Sequence, residues 1–396
     1  MKRGSRIGFF AICSLLVLTM TACGGKETSG AQETSGGKET SGSSAAAESK
    51  ETKEVSLGLS APLTGNSAQY GESFRNAMKM AIDEFNAKGG AVKVNLVEMD
   101  SKNDPKESAN IAQKLVDNDN IVAVVGDFSS TTSMAASPIY QRSGLVQLSP
   151  TSSHPDFTST GDYIFRNVPT QKIEGAFVAD YAKELGYKKS AVIYIQNDWG
   201  IAAKENFEAK FKEAGGEVSN SLNFNPDTKD FNNILIKIRE SGPDVIYLGA
   251  PYTESALIAQ QSKKLGIKAG FIGTSILYSD QYIQLGGKDV EGTHLSSYFF
   301  PADPRPEVQK FVEAYKKTYS KDPDMFAALT YDSANMLLSI IEKGETSRKG
   351  IRDALAAMKD FPGITGKTSF NDIRNVEKDL AKLDVKDGQF TLYKKE

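Results

Sequence analysis

Residues 121–153 read I-V-A-V-V-G-D-F-S-S-T-T-S-M-A-A-S-P-I-Y-Q-R-S-G-L-V-Q-L-S-P-T-S-S. The stretch contains two apolar strands, 121–125 and 145–148, and each runs directly into a cluster of hydroxyl side chains. An amphipathic helix is predicted between them, over residues 132–142. The carboxyl ends of parallel strands lie at one edge of a sheet, where helices begin and ligands bind. The stretch therefore predicts a polar pocket, suited to a carboxylate, at two neighbouring strand ends.

Ser and Thr also cap helices, so helix capping is the simpler interpretation of these hydroxyls. Four hydroxyl residues, however, follow the first strand at positions 129–132, and the second strand is followed by Ser149, Thr151, Ser152 and Ser153. Capping uses one hydroxyl at each helix start. The surplus favours a binding function for both strand ends.

The same strand–helix alternation extends over most of the chain. Predicted strands and helices alternate from residue 55 to residue 148, and the pattern restarts at Gln171 after I-F-R-N-V-P (164–169). About 340 residues follow from the start of this pattern at residue 55. That number is too large for one hydrophobic core and fits two lobes. We therefore expect an α/β protein with two Rossmann-like lobes, each built on a parallel central sheet with helices on both faces.

The N-terminus has the features of a targeting segment. Lys2, Arg3 and Arg6 precede an apolar run over residues 7–18, which is too short to span a membrane as a helix. Small residues lead to Cys23, and this pattern resembles a bacterial lipoprotein signal in which the cysteine carries the lipid. The alternative is an ordinary secretory signal with an incidental cysteine. We expect a signal peptide over residues 1–22 and an extracytoplasmic protein that is lipid-anchored to the membrane.

The stretch that follows the predicted lipidation site is polar and repetitive. Residues 24–42 contain G-K-E-T-S-G, A-Q-E-T-S-G and a second G-K-E-T-S-G, with no aromatic residue. Such a composition buries too little apolar surface to offset the entropy of ordering. We expect residues 23–52 to form a flexible, disordered linker between the lipid and the folded part.

Composition argues against several other functions. The sequence has two cysteines, of which Cys13 lies in the predicted signal peptide and Cys23 is the predicted lipidation site, so we expect no disulfide in the mature chain. The two histidines, His154 and His294, lack metal-ligand spacing. The net charge of −3 is spread without blocks, which argues against a nucleic-acid partner. No phosphate loop, dinucleotide fingerprint or nucleophile elbow is present. We expect neither an enzyme nor a cofactor.

Six motifs carry a resemblance that covers residues 55–393. They are V-S-L-G-L-S-A-P-L-T-G-N-S-A-Q-Y-G (55–71), F-N-A-K-G-G (85–90), N-D-P (103–105), G-D-F-S-S-T-T-S-M-A-A-S (126–137), L-S-P-T-S-S (148–153) and N-D-W-G (197–200). In order and spacing the chain resembles the type I periplasmic binding proteins. Within them it is similar to the leucine/isoleucine/valine-binding branch, which feeds ABC transporters.

The resemblance implies two lobes that close over a small solute at a hinge of three crossovers. The crossovers are expected near Val168-Pro169, near Ser297-Tyr298 and at residues 371–376. The first lobe would comprise residues 53–168 and 298–372, and the second residues 169–297 and 373–396. The implied partners are the permease and ATPase subunits of an ABC importer, and the protein itself is expected to be a monomer.

The resemblance also assigns ligand contacts in the first lobe. Ser130 aligns with a hydroxyl that holds the ligand carboxylate, and Thr151 with a residue whose carbonyl accepts from the ligand ammonium. Ser153 replaces the family's usual Thr, which touches both groups, and keeps its hydroxyl. Ser152 lies between them and is included in the expected site.

Three aromatic residues complete the implied site. Tyr70 matches an aromatic wall of the first lobe, Trp199 stands where the second lobe commonly presents Tyr, and Tyr252 is its other aromatic. Aromatic residues on the closing lobe contact the ligand only after closure, so the ligand favours the closed state. Half-buried surface aromatics, or lobe packing for Trp199, are the alternative interpretations.

One position departs from the family pattern. Amino-acid binders of the family place an acid after the strand that ends here at Gly273, and this chain has Ser275 there. A buried ammonium without a counter-ion is costly. Either Glu254 or Asp280 provides the pairing, or the ligand is an amide, an aromatic acid or another carboxylate without an ammonium.

The leading hypothesis is a solute-binding lipoprotein that delivers an amino acid, of branched-chain type, or a related small carboxylate to an ABC importer. The alternative is a ligand-sensing protein of the same fold that reports its ligand to a membrane partner. A hydrolase on this scaffold would need a nucleophile–base pair, and the sequence nominates none.

Overall fold

The computed structural model describes residues 52–395. The predicted signal peptide, the lipidation site at Cys23 and all but the last residue of the predicted linker lie outside the described residues. No helix among residues 52–395 combines the length and the apolar composition needed to cross a membrane.

The elements follow one another as strand–helix units. The first part contains β1 (Lys53–Ala61), α1 (Ala68–Ala87), β2 (Val92–Asp100), α2 (Pro105–Val116), β3 (Ile121–Gly126), α3 (Ser130–Arg142), β4 (Val146–Ser149) and β5 (Ile164–Arg166). The middle part contains α4 (Gln171–Glu184), β6 (Lys189–Ile195), α5 (Asp198–Glu213), β7 (Glu217–Phe224), α6 (Asn232–Ser241), β8 (Val245–Gly249), α7 (Tyr252–Lys264), β9 (Gly270–Gly273), α8 (Asp280–Gly286) and β10 (His294–Ser297). The last part contains α9 (Pro306–Tyr319), α10 (Met325–Glu342), α11 (Arg348–Ala356), β11 (Phe361–Gly363), β12 (Gly366–Thr368), β13 (Ala381–Lys386) and β14 (Gln389–Leu392).

Strands β1 to β5 form a sheet in the order β2-β1-β3-β4-β5, and all its neighbouring pairs are parallel. Every residue of β3 is buried, as expected for a strand covered on both faces. Val125 belongs to the same core cluster as Phe74 of α1, and the preceding Val124 to the same cluster as Leu115 of α2. Helices therefore cover both faces of this sheet.

Seven strands form the second large sheet, in the order β14-β13-β10-β9-β8-β6-β7. Strands β6 to β10 pair in parallel, whereas β13 runs antiparallel to β10 and β14 antiparallel to β13. The β13–β14 hairpin turns at Asp387 and Gly388, which both have positive φ, as type I′ turns require. The α/β fold with parallel central sheets is confirmed, and the antiparallel edge is an addition to it.

We define the first lobe as β1–β5 and β11–β12 with α1–α3 and α9–α11, and the second lobe as the remaining strands with α4–α8. Helix α10 packs against α1 and β3, which returns the chain to the first lobe after β10. The chain passes between the two large sheets in the segments 167–170, 298–305 and 369–380. The predicted crossovers lie in or beside these segments, and the exact lobe boundaries stay a prediction.

Candidate ligand-binding site

A small cavity of about 60 Å³ lies between the lobes, at the carboxyl ends of β3 and β4 and of β6, β8 and β9. That volume holds about four to six water molecules, so the lobes stand close together in this structure. The lining residues are Asn103, Phe128, Ser129, Thr151, Ser153, Val168, Glu174, Ile195, Asn197, Trp199, Pro251, Thr274, Ser275, Ile276, Met325 and Phe326.

Several hydroxyls of the 126–153 stretch bond to the protein itself. Ser149 Oγ donates to the carbonyl of Asp127 at 2.8 Å, and Thr151 Oγ1 donates to the carbonyl of Phe128 at 2.7 Å. Ser152 Oγ donates to the Ser133 hydroxyl at 2.6 Å. These bonds join the residues after β3 and the first turn of α3 to the end of β4 and the residues that follow it. They hold the two strand ends in a fixed relative position, which a preformed binding surface needs.

The buried side chain of Asp127 fixes the carboxyl end of β3 in position, a role that the sequence did not reveal. Its carboxylate is 1% exposed and accepts from the hydroxyls of Ser60, Ser101 and Ser108 at 2.9, 3.1 and 3.0 Å. Burial raises the pKa of the Asp127 carboxyl. The preceding Gly126 has φ +130°, and a Cβ there would collide with the carbonyl of Ser60. Glycine is therefore required where β3 turns toward the site.

Two helix N-termini, one from each lobe, meet at the cavity. Ser129 caps α3 by accepting from Thr132 N at 3.2 Å, and Asn197 caps α5 by accepting from Gly200 N at 2.8 Å. Both capping residues line the cavity. The partial positive charge at the start of α3 and of α5 favours an anionic group between the lobes.

Tyr70 joins the two lobes beside the cavity. Its side chain is 1% exposed, and its ring stacks on Phe128 with 4.3 Å between centroids. Its hydroxyl donates to the carbonyl of Ile276 at 3.1 Å and accepts from the backbone N–H of Tyr252 at 3.2 Å. The Tyr252 hydroxyl in turn donates to the carbonyl of Asn66 at 3.3 Å. Burial raises the pKa of Tyr70 well above its usual value, so the hydroxyl remains a donor.

Trp199 lies in the first turn of α5, which begins at Asp198. The indole is 8% exposed and lines the cavity. Nearby, the backbone N–H of Asp198 donates to the Thr131 hydroxyl of the other lobe at 3.2 Å. The start of α5 thus closes one side of the cavity.

An acid that the sequence reasoning missed, Glu174, lines the cavity beside Ser275. Glu174 Oε1 accepts from Ser275 N at 2.8 Å and from Ser296 Oγ at 2.8 Å. Glu174 Oε2 accepts from Gln171 Nε2 at 2.9 Å. Glu174 falls on the buried side of α4 together with Val178 and Tyr181, so an acid at an apolar position of the helix pattern was the available signal.

The structure brings only some of the predicted site residues to the cavity. Thr151, Ser153, Trp199 and Ser275 line it.

The other predicted residues do not line it in this position of the lobes. Ser130 and Ser152 are fully buried, and Ser130 Oγ accepts from His154 N at 3.1 Å. Tyr70 and Tyr252 form contacts between the lobes next to the cavity. Direct ligand contact stays a prediction for all eight residues.

Neither acid proposed from the sequence as an ammonium partner lines the cavity. Glu254 is 6% exposed, and burial together with the charge of Asp227 raises its pKa. Asp280 lines a different cavity of about 460 Å³, together with Asp322 and Asp324. The chemistry of the interlobe cavity is therefore that of hydroxyls, the amides of Asn103 and Asn197, backbone dipoles, apolar side chains and one carboxylate. Among residues 52–395, no group of three or more His, Cys, Asp or Glu side chains is placed to hold a metal ion.

Comparison with known proteins identifies the family of this chain. A family model described as periplasmic binding protein matches residues 54–389. The leucine-, isoleucine-, valine-, threonine- and alanine-binding protein of Pseudomonas aeruginosa is 28% identical over 356 residues, which are 88% of this chain and 91% of that protein.

Solved structures show the same fold. The branched-chain amino acid transporter substrate-binding protein LivJ of Streptococcus pneumoniae, in complex with isoleucine, is 27% identical with a TM-score of 0.81 and covers 85% of this chain and 98% of its own. A solute-binding protein of R. palustris in complex with 4-hydroxybenzoate is 22% identical with a TM-score of 0.80, covering 87% and 96%. The second likeness shows the fold alone.

Proteins of this family bind solutes outside the cytoplasm and are not enzymes. The family model covers nearly the whole described part of the chain, and the two lobes with their interlobe cavity have the family's architecture. The chain therefore belongs to the periplasmic binding proteins, in the leucine/isoleucine/valine-binding branch.

Proposed function

We propose that the protein is an extracytoplasmic solute-binding lipoprotein that captures an amino acid, of branched-chain type, or a related small carboxylate and delivers it to an ABC importer. The observation that carries the proposal is the interlobe cavity, where hydroxyls and helix N-termini converge without a cation. No Lys, Arg or His among residues 52–395 lines the cavity, so an anionic group there must rely on neutral donors from this part of the chain.

The carboxylate end of the ligand fits the first lobe. Ser129 at the start of α3, Thr151 and Ser153 line one side of the cavity. Ser153 Oγ accepts from Gln171 Nε2 at 2.9 Å, so its own proton is available to a ligand oxygen. The rest of the lining is mostly apolar, including Val168, Ile195 and Met325, and fits an aliphatic side chain.

Binding by closure follows from the contacts between the lobes. A cavity of about 60 Å³ is small for a solute with an aliphatic side chain, so we expect the lobes to separate when a solute enters. The proposed hinge comprises the three crossovers, with residues 53–168 and 298–372 moving against residues 169–297 and 373–396. A ligand that contacts both lobes favours the closed state.

A tether fits this function. A lipid on Cys23 and the proposed linker over residues 23–52 would keep the binding protein near its membrane partner. The relative from Pseudomonas aeruginosa bears a name that specifies leucine, isoleucine, valine, threonine and alanine, and these are the first solutes to test.

A thermal-shift screen of the purified protein against the twenty amino acids and a panel of small carboxylates tests the binding proposal. At least one of these compounds should raise the melting temperature in a saturable way, because it binds the folded protein only. No stabilisation by any compound of either class would contradict the proposal.

Uptake separates delivery to an importer from ligand sensing. Deletion of the gene should abolish uptake of the labelled ligand, and the wild-type gene should restore it. Restoration should fail with a Cys23→Ser form, because the tether would be lost. Normal uptake in the deletion strain, with loss of a response to the ligand, would favour the sensing alternative.

A further inference from the structure

Glu174 is the only ionisable side chain among the residues that line the interlobe cavity. It is 2% exposed, and no Lys, Arg or His among the described residues forms a salt bridge with it. Buried charges in proteins are paired, and a single buried carboxylate without a cation is costly. The cavity therefore holds a negative charge whose counter-ion the described protein does not provide.

The hydrogen bonds around Glu174 orient its carboxylate and leave part of its capacity to accept hydrogen bonds unused. A carboxylate offers about four acceptor sites, and three are used by Ser275 N, Ser296 Oγ and Gln171 Nε2. All three donors are neutral. They fix the carboxyl group at the cavity wall while leaving capacity for one more donor, and a cationic donor would also balance the charge.

A second observation indicates a missing polar partner at the same place. The hydroxyl of Thr274 is fully buried, has no hydrogen-bond partner within the described part of the chain and belongs to a residue of the cavity wall. Thr274 directly precedes Ser275, whose N–H binds Glu174. An ammonium carries three donors, so one group can serve both the Glu174 carboxylate and the Thr274 oxygen.

The Ser153 hydroxyl and the Glu174 carboxylate lie close together in the cavity wall. Gln171 Nε2 lies 2.9 Å from Ser153 Oγ and 2.9 Å from Glu174 Oε2, so these two oxygens are at most twice that distance apart. The hydroxyl that faces a ligand carboxylate and the acid that faces a cation are thus neighbours. An α-amino acid carries its ammonium and carboxylate on one carbon atom and matches this spacing.

We propose that Glu174, in the first turn of α4, is the counter-ion of the ligand ammonium and restricts the site to α-amino acids with apolar side chains. The inference rests on the proposed function and narrows its ligand class. The acid comes from α4 and not from the segment after β9, where Ser275 contributes only its backbone N–H. A carboxylate without an ammonium would bring a second negative charge to Glu174 and bind poorly.

Titration calorimetry with matched ligand pairs tests the inference. The amino acids are leucine, valine and alanine, and their counterparts without the amino group are 4-methylpentanoate, 3-methylbutanoate and propanoate. The wild-type protein should bind at least one amino acid about 100-fold or more tighter than its counterpart, because the counterpart leaves a buried charge unpaired. Glu174→Gln should reduce this ratio at least about tenfold.

Glu254→Gln is the matched control, since Glu254 is also a buried acid in the first turn of a second-lobe helix but does not line the cavity. It should leave the ratio unchanged. The inference is overturned if the wild-type protein binds a carboxylate without an ammonium as tightly as its amino-acid partner. It is also overturned if Glu174→Gln keeps the wild-type ratio.

If Glu174→Gln does not fold, a wild-type ratio near one still overturns the inference. The outcomes also separate the two levels of the proposal. Tight binding of 4-methylpentanoate alone would contradict the role of Glu174 and leave a small-carboxylate binding protein standing. Absence of binding by both classes would contradict the proposed function and the inference together.

Discussion

The contact of Tyr70 with the second lobe provides a direct test of binding by closure. The substitution Tyr70→Phe keeps the ring that stacks on Phe128 and removes only the hydroxyl. The closed state then loses the bond donated to Ile276 O and the bond accepted from Tyr252 N. In the open state water would solvate the same groups, so the loss falls mainly on the closed state.

The expected size of the effect follows from these two bonds. A hydrogen bond inside a protein contributes about 0.5–1.5 kcal/mol net, so two bonds correspond to about 1–3 kcal/mol. Ligand affinity should fall about 5- to 150-fold, because the ligand must supply this additional closing free energy. The ring contacts are retained, so the melting temperature of the ligand-free protein should change little by comparison.

Titration calorimetry of the parent and Tyr70→Phe with the same ligand measures the effect. Tyr140→Phe is the control, because Tyr140 is a fully buried tyrosine of the first lobe whose hydroxyl has no partner among the described residues. It should leave the affinity unchanged. A change in Kd of less than twofold for Tyr70→Phe, or an equal change for the control, would refute the role of Tyr70 in closure.

Two further predictions concern binding and pH. Ser153→Ala should weaken ligand binding about 5- to 10-fold through loss of one hydroxyl. Ser137→Ala is the control and should not weaken binding, because the Ser137 hydroxyl bonds only inside the first lobe. Equal affinities of both variants and the parent would exclude Ser153 from the site. Burial raises the pKa of Asp324 from 3.8 to about 6. Between these two pH values the folded protein keeps a proton that the unfolded chain loses. The free energy of unfolding should therefore fall by up to about 3 kcal/mol as pH rises from about 4 to 6. Asp324→Asn keeps a capping side chain for α10 and should remove this part of the pH dependence of the melting temperature, and an unchanged slope would contradict it.

The fold could be predicted because local patterns determine it. The apolar run at residues 121–125 reflects burial against neighbours that any parallel α/β sheet provides. The predicted strands at 121–125 and 145–148 and the predicted helix at 132–142 agree with β3, β4 and α3 to within two residues. The pairing of β13 with β10 was not predicted, because it joins segments about ninety residues apart and the sequence of neither strand indicates its partner.

The site was less predictable, for a related reason. Ser129, Thr151 and Ser153 line the interlobe cavity, whereas the sequence did not show that Ser149 and Ser152 use their hydroxyls to join the segments that follow β3 and β4. Glu174 was missed because its partner Ser275 lies 101 residues away and meets it only when α4 packs beside β9. Local patterns report burial, whereas the partner of a buried charge depends on how distant segments fold together.

Trp199 allows the most direct test of the claim that the interlobe cavity is the binding site, because it is the only tryptophan of the chain and lines that cavity. Its fluorescence should be recorded while leucine, valine and alanine are titrated into the purified protein, with calorimetry on the same samples. We predict a saturable change in Trp199 emission with the same Kd that calorimetry gives. Tight calorimetric binding that leaves the emission unchanged, and that Trp199→Phe retains at full affinity, would place the ligand elsewhere and contradict the account.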